Sequence, residues 1–305
     1  MKATRDAYGE ALAELGERDP RVVALDADLS CSTKSAKFRD KFPGRFFNAG
    51  IAEANMMGMA AGFASSGKVP FASTFAVFAT GRCFDQIRVS IAYPALNVKI
   101  AASHSGITVG EDGASHQALE DISLMRSLPN MRVVVPCDAN EARQATFAVA
   151  EAPGPFYLRL GRPKAPLLDE AEFTIGKAKL LRDGADVTLV ACGYLVHEAL
   201  KAAEALQSNG IGAKVLDMHT VKPLDKDALL KAARDTGHIV TCEEHSRIGG
   251  LGSAVAELLA ENYPVPMRII GTSDTFGESG KPGELLDKYG LSGNHIANAA
   301  KELLK

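Results

Sequence analysis

Residues 103–117, with the sequence SHSGITVGEDGASHQ, form the polar segment around which the rest of the chain can be arranged. The segment follows an apolar stretch at 96–102 that is typical of a buried strand, and it leads into a helical pattern at 116–127. Ligands of open parallel sheets bind beyond the carboxyl ends of the strands, which is where this segment lies. It therefore predicts a parallel sheet and, at the end of that sheet, a site.

Strands and helices alternate on both sides of this segment. Before it, residues 69–73 are typical of a strand and residues 80–91 of a helix, and a second alternating series follows two prolines near position 165. We predict an α/β protein with two domains, each a largely parallel sheet covered by helices. The predicted boundaries are 1–165 for the first domain, 166–180 for a linker and 181–305 for the second domain.

Composition excludes several classes of partner. The 305 residues include 34 Lys and Arg against 37 Asp and Glu, a formal net charge of −3, so there is no basic excess to bind a nucleic acid. The apolar runs fall short of the roughly 20 residues that a membrane helix needs, and the opening residues lack an apolar signal core. The five cysteines are scattered without CxxC spacing, which predicts reduced thiols and a cytoplasmic location.

The 103–117 loop carries residue types suited to chemistry. Its three glycines let the backbone bend close to a ligand. Two histidines and two acidic residues in the same loop can bind hydroxyl groups or move protons. A metal site formed by His104, Asp112 and His116 is an alternative, although their spacing matches no compact zinc signature. A polar surface turn without function is the third interpretation.

Two other segments add candidates. Glu53 opens an otherwise apolar helix, where a carboxylate could serve a ligand or only complement the helix dipole. Phe75 and Phe78, in the segment STFAVF at 73–78, could form a shelf for a flat ring or simply belong to the core.

Several motifs, in the same order along the chain, together resemble the transketolase family. They are GIAE at 50–53, STFAVF at 73–78, FDQIR at 84–88 and HSGITVGEDGASHQALED at 104–121, extended by ATRDAYG at 3–9, DADLSCS at 26–32 and RLGRP at 159–163. The resemblance covers the pyrimidine-binding and C-terminal domains of that family. The GDG motif of the family's diphosphate-binding domain is absent from the sequence. The resemblance therefore implies a split enzyme in which a separate N-terminal chain supplies that domain.

The resemblance also implies roles for individual residues. Glu53 matches the acid that contacts the aminopyrimidine ring of thiamine diphosphate, Phe75 and Phe78 match the aromatic residues around that ring, and Asp28 matches a residue near the cofactor across a subunit interface. No metal ligand is expected from this chain, because the resemblance places a divalent metal, Mg²⁺ or Ca²⁺, in the partner subunit.

Sugar binding is implied by a second set of positions. Four residues match the family's phosphate-binding set: Arg5, Ser32, His104 and Arg162. Asp112 matches the residue that reads the C2 hydroxyl of the acceptor, and His116 matches a catalytic histidine near the reacting oxygens.

The activity implied is transfer of a two-carbon ketol unit from a ketose phosphate to an aldose phosphate, as in the pentose phosphate pathway, by an assembly with two copies of each chain. Four alternatives remain open. One is a 1-deoxyxylulose-5-phosphate synthase-like enzyme, and another is a ketol transferase for unusual sugars. The others are the beta subunit of a 2-oxo acid dehydrogenase and a non-catalytic assembly module.

Overall fold

The computed structural model of the protein describes residues 1–169 and 171–305, so position 170 of the predicted linker lies outside the described residues. The strands are β1 (Lys2–Ala3), β2 (Val22–Asp26), β3 (Phe46–Asn48), β4 (Val69–Phe75), β5 (Lys99–Ser103), β6 (Arg132–Val134), β7 (Phe156–Arg159), β8 (Lys164–Ala165), β9 (Lys179–Arg182), β10 (Val187–Ala191), β11 (Ala213–Asp217), β12 (Thr220–Lys222), β13 (Ile239–Ser246) and β14 (Met267–Thr272).

Helices connect most of these strands. The α-helices are α1 (Thr4–Arg18), α2 (Ser30–Thr33), α3 (Ala36–Lys41), α4 (Glu53–Ser65), α5 (Phe84–Gln86), α6 (Asp121–Ser127), α7 (Ala139–Glu151), α8 (Leu195–Gln207), α9 (Lys226–Thr236), α10 (Leu251–Asn262), α11 (Pro282–Lys288) and α12 (Gly293–Leu303). Short 3₁₀ turns lie at Pro43–Arg45 and Ile107–Asp112, and π-helical segments lie at Phe78–Arg82 and Ile87–Ala92.

The first sheet has the order β12-β6-β7-β5-β4-β2-β3, and every pairing in it is parallel except β12 with β6. All residues of β2, β4 and β5 are buried, as expected of central parallel strands with helices on both faces. The order places the carboxyl ends of β4 and β5 side by side, with Phe75 opposite Ser103. The predicted fold class is confirmed for this half.

The second sheet has the order β14-β13-β10-β11-β9, parallel except for the edge pair β11 with β9. Helices α8 and α12 pack together beside it, with an apolar cluster of leucine, valine and alanine side chains beneath them. The sequence therefore also predicts this second α/β unit correctly.

Strand β12 crosses between the two halves of the chain. It follows β11 in the second half, yet it pairs with β6 at the edge of the first sheet, where Thr220 lies opposite Val134. A shared apolar cluster accompanies the crossing and includes Met131 from the first half and Met218 and Val221 from the second. The sequence pattern did not predict this exchange, and the domain boundaries at 1–165, 166–180 and 181–305 stay predictions.

Two predicted helices differ from the structure. The helix predicted at 80–91 consists of two π-helical segments that flank α5, and the Thr80 hydroxyl donates to the Ala76 carbonyl at 2.8 Å, a side-chain bond that competes with regular helix formation. The helix predicted at 116–127 begins only at Asp121, because the preceding residues form turns in which the His116 N–H bonds to the Gly113 carbonyl.

A candidate active site at the strand ends of the first sheet

The site lies where β2, β4 and β5 end, and its backbone is unusual there. Three glycines of the 103–117 loop, Gly106, Gly110 and Gly113, have φ angles of 77°, 82° and 75°, as their predicted role in bending the chain requires. Asp28, after β2, and His104, after β5, also have positive φ angles, 64° and 57°. Such conformations cost energy for residues with a side chain, and they cluster at functional sites.

Glu53 is the buried acid of the site. It is the first residue of α4 and only 2% exposed. Nη1 of Arg82 donates to both carboxylate oxygens of Glu53 at 2.8 Å. The Arg82 side chain is 49% exposed, and its guanidinium carbon lies 4.5 Å from the centre of the Phe78 ring. Sequence reasoning missed Arg82, because nothing in the motif FDQIR or its flanks indicates that an arginine would face the acid.

The two predicted aromatic residues do form a shelf. The rings of Phe75 and Phe78 are 5.9 Å apart and nearly parallel, with an interplanar angle of 13°. His104 stacks on Phe75 at 3.8 Å, and the ring of His116 meets Phe78 edge-on at 5.4 Å. The structure thus brings Phe75, Phe78, His104 and His116 together, and Arg82 connects them to Glu53.

His104 is held as a neutral ring. Its Nε2 lies 3.0 Å from Nη1 of Arg5, and its Nδ1 lies 2.9 Å from the Ser103 hydroxyl. Because an arginine can only donate, Nε2 accepts and Nδ1 carries the proton. Burial, and then the positive charges of Arg5 and Arg162, lower the pKa of His104 to about 3. With both nitrogens engaged, His104 is unsuited to the alternative metal site.

Positive charge gathers beside His104. Arg5 donates from Nη1 to the Ser32 carbonyl at 3.0 Å, and its Nε is buried without a partner among the described residues. Burial and the nearby charge of Arg162 lower the pKa of Arg5. Arg162 pairs with Glu111 at 2.7 Å and also contacts the Val109 carbonyl. Guanidinium groups with unused donors are suited to bind a phosphate.

The remaining predicted residues lie at the rim. The Asp112 carboxylate is exposed and makes no hydrogen bond or ion pair with the described residues, although its charge acts on Arg5. Nδ1 of His116 lies 2.9 Å from the Ser115 hydroxyl. Asp28 is exposed and exchanges hydrogen bonds with Asn48 at 3.0 and 3.1 Å, and within the described ranges no contact joins it to the other candidates. The Ser32 side chain is half-buried next to Arg5.

Comparisons with known proteins identify the family of the chain. The family model described as transketolase, pyrimidine-binding domain, matches residues 1–166. The family model described as transketolase, C-terminal domain, matches residues 176–296. A 6-deoxy-6-sulfo-D-fructose transketolase subunit of Clostridium is 48% identical over 98% of this chain and 94% of that protein. A subunit of the apulose-4-phosphate transketolase of Phocaeicola vulgatus is 41% identical over 100% of this chain and 98% of that protein.

A solved structure is similar over the full chain. It is a split-gene transketolase, described as an inactive β4 tetramer, which is 54% identical with a TM-score of 0.94 and covers 100% of this chain and 99% of that one. Across the part of the chain that the structure describes, no helix is both long and apolar enough to cross a membrane. The resemblance drawn from the motifs is confirmed. The chain therefore belongs to the transketolase family and is a subunit of a split transketolase.

Proposed function

We propose that this subunit transfers a two-carbon ketol unit between a ketose phosphate and an aldose phosphate, with thiamine diphosphate bound between it and an N-terminal partner subunit. The observation that carries the proposal is a carboxylate, Glu53, buried beside a shelf of two stacked phenylalanines. A flat heteroaromatic ring with a basic nitrogen needs both an aromatic surface and an acid, so these residues fit the aminopyrimidine.

Glu53 has the central role in the proposed chemistry. Thiamine diphosphate supplies the electron sink that stabilises a carbanion next to a carbonyl group. The buried carboxylate holds or receives a proton at the ring nitrogen, where low solvent access strengthens that hydrogen bond. Phe75 and Phe78 orient the ring and exclude water from one of its faces. Asp28 is proposed to lie near the cofactor at the subunit interface.

The sugar is proposed to bind across the 103–117 loop. Its phosphate is bound by the residues that gather around His104. They are the two arginines, Arg5 and Arg162, with Ser32 and His104 itself. His104, whose Nε2 accepts from Arg5 and whose Nδ1 faces the Ser103 hydroxyl, holds the Arg5 guanidinium in place for that phosphate. His116, at the edge of the aromatic shelf, donates to or takes a proton from the reacting oxygens, and the exposed Asp112 accepts from the acceptor's C2 hydroxyl.

The choice of sugar is proposed to be specialised. Two similar proteins are named for a sulfonated fructose and for apulose 4-phosphate. A sulfonate carries one negative charge and a phosphate monoester up to two, but both present three oxygens that accept from guanidinium groups, so the cluster is compatible with either anion. Xylulose 5-phosphate with ribose 5-phosphate, the sugars of the pentose phosphate pathway, remains the first pair to test.

The partner subunit is proposed to carry the diphosphate site and its divalent metal, Mg²⁺ or Ca²⁺. Two copies of each chain would form the active assembly. A relative that forms an inactive β4 tetramer supports the idea that such chains self-associate and need a second subunit for activity. The five free cysteines support a reducing, cytoplasmic compartment.

Reconstitution tests the proposal. The purified chain is mixed with an N-terminal transketolase subunit that carries the GDG motif, thiamine diphosphate, Mg²⁺ and a panel of ketose and aldose phosphates, and product masses are measured. We expect turnover only when both chains are present, and the variant Glu53→Gln should lose roughly 100-fold or more in kcat. Glu151→Gln, at an exposed acid at the end of α7, is the control and should keep full activity. Near-normal turnover by Glu53→Gln would reject the proposed site.

A further inference from the structure

A segment of the C-terminal half lies directly against the 103–117 loop. This segment, residues 276–282, is called the C-terminal strap here. A Cβ atom added to Gly110 would lie 3.3 Å from the Gly280 carbonyl oxygen and from the Pro282 ring. A Cβ added to Gly113 would lie 2.6 Å from the Ser279 hydroxyl. The approach is so close that the loop glycines leave no space for a side chain.

Gln117 joins the loop to the strap by hydrogen bonds. Its side-chain amide nitrogen donates to the Ile107 carbonyl at 3.1 Å and to the Glu278 carbonyl at 2.9 Å. The side chain is only 3% exposed. Its oxygen occupies the space beside Gly277, where an added Cβ would lie 1.9 Å away. One side chain therefore fixes both the start of the 3₁₀ turn and the strap.

Glu244 provides a second brace from the C-terminal half. It belongs to β13, and its Oε1 accepts the backbone N–H of Thr108 inside the loop. A Cβ on Gly106 would meet this carboxyl group at 2.3 Å. The Glu244 backbone carbonyl accepts from Arg159 at 2.9 Å, so the brace is itself anchored to the first sheet. Glu244 is 4% exposed.

We propose that the C-terminal half sets sugar binding by holding the 103–117 loop, with Gln117 and Glu244 as positioning residues. The loop carries His104, Asp112 and His116, so a shift of the strap moves the groups assigned above to the sugar. The inference rests on the proposed function for those assignments. Glu53, Phe75 and Phe78 belong to α4, β4 and the π-helical segment after β4, outside the 103–117 loop, so the cofactor ring is expected to bind normally when the braces are weakened.

A pair of glycine substitutions tests the strap. Gly277→Ala places a methyl group where the Gln117 oxygen lies, whereas Gly283→Ala, in the first turn of α11, meets nothing within 4 Å. In the complex with the partner subunit, Gly277→Ala should raise KM for the sugar phosphate about tenfold, while the calorimetric affinity for thiamine diphosphate stays the same. Gly283→Ala should match the wild type in both measurements.

The hydrogen bond from the Thr108 N–H to Glu244 is tested by comparing a variant that removes the acceptor with a conservative variant that restores it. Glu244→Ala removes the acceptor for the Thr108 N–H, whereas Glu244→Gln keeps a carbonyl oxygen there. Hydrogen exchange of the isolated full chain, read on peptides from 104–117, should speed up in Glu244→Ala and return toward the wild-type rate in Glu244→Gln. If Glu244→Ala does not fold, Gly277→Ala supplies the same exchange measurement.

The inference is overturned if loop exchange and KM are unchanged in Gly277→Ala, or if cofactor affinity falls in parallel with sugar binding. The two proposals fail separately. If Glu53→Gln is inactive while the strap variants behave as wild type, only the positioning role is lost. If Glu53→Gln remains active, the site assignment itself is wrong.

Discussion

Two buried carboxylates in the first half of the chain, at the starts of α4 and α6, each face an arginine, and they are bound very differently. Asp121 accepts from Nε and Nη2 of Arg159 at 2.6 and 3.0 Å and from the Tyr157 hydroxyl at 2.6 Å, and all three residues are buried. Among the residues that the structure describes, Glu53 accepts only from Arg82, whose side chain is 49% exposed.

The difference separates a structural ion pair from one that can serve chemistry. Burial raises the pKa of Asp121, but Arg159 and Tyr157 more than offset it, so its net pKa lies below the ordinary value. Arg159 also donates to the carbonyls of Ala118 and Glu244, which ties three elements together. Within the described ranges both Glu53 oxygens accept from a single nitrogen of a half-exposed arginine, so the carboxylate keeps lone pairs for a ligand.

The largest expected effect is on stability, at Asp121. Asp121→Asn removes the charge that compensates buried Arg159, and breaking such a pair costs about 3–5 kcal/mol of unfolding free energy. Urea denaturation at neutral pH measures the loss. Asp40→Asn, which breaks a surface pair with Arg39, is the control and should cost about 1 kcal/mol or less. Equal losses in the two variants would contradict the distinction.

A smaller effect on the free energy of unfolding is expected from His104, a residue of the candidate site. Its folded pKa of about 3 lies below the unfolded value of about 6.5, so the unfolded chain binds a proton that the folded chain does not. Stability is therefore lost as the pH falls from about 6.5 towards 3. Between pH 7 and pH 5, the His104 side chain should lower the free energy of unfolding by roughly 2 kcal/mol.

The variant His104→Asn isolates this contribution. Asparagine tolerates the positive φ angle of position 104 and does not titrate in this range. Its unfolding free energy should fall between pH 7 and pH 5 by roughly 2 kcal/mol less than that of the wild type. Urea denaturation of the two proteins at pH 7 and at pH 5 measures the difference, and an equal pH dependence would contradict the expected role of His104.

The smallest effect is expected for Glu53→Gln in folding. The substitution leaves Arg82 without a carboxylate, but half of that side chain is already in water, so the loss should be about 1 kcal/mol or less. Arg82→Met should cost more, because it leaves the buried Glu53 carboxylate uncompensated. Thermal and urea unfolding of both variants measure which one loses more stability. A larger loss in Glu53→Gln than in Arg82→Met would contradict the view that the buried carboxylate needs its arginine.

Much of the fold was predictable because it follows from local composition. Apolar runs such as those of β4 and β5 are buried on both faces, and such runs identify central parallel strands. Strand β12 was not predictable, since three residues carry no periodicity and their partner lies far away in the sequence. The π-helical segment Phe78–Arg82 was missed because its apolar spacing resembles that of an ordinary helix.

Residues of the candidate site that lie within a sequence motif could be predicted. Residues that reach the site only through contacts in the folded chain could not. His104, Phe75 and Glu53 lie within motifs, and the structure places Phe75 and His104 at the ends of β4 and β5 and Glu53 at the start of α4. Arg82 and Glu244 act through contacts between segments that are distant or unremarkable in sequence. Such contacts can be identified only from the folded structure, because no local sequence pattern indicates which arginine or glutamate will face a given loop.

Strand β12 has a consequence for how the polypeptide can be cut. A chain ended in the linker would lose the strand that covers β6 and leave a row of unpaired amide and carbonyl groups along the first sheet. Uncovered sheet edges of this kind pair with other molecules, so such a fragment should aggregate rather than survive as a free pyrimidine-binding unit. The two halves therefore share the edge of the first sheet, and a chain divided in the linker would expose that edge to solvent.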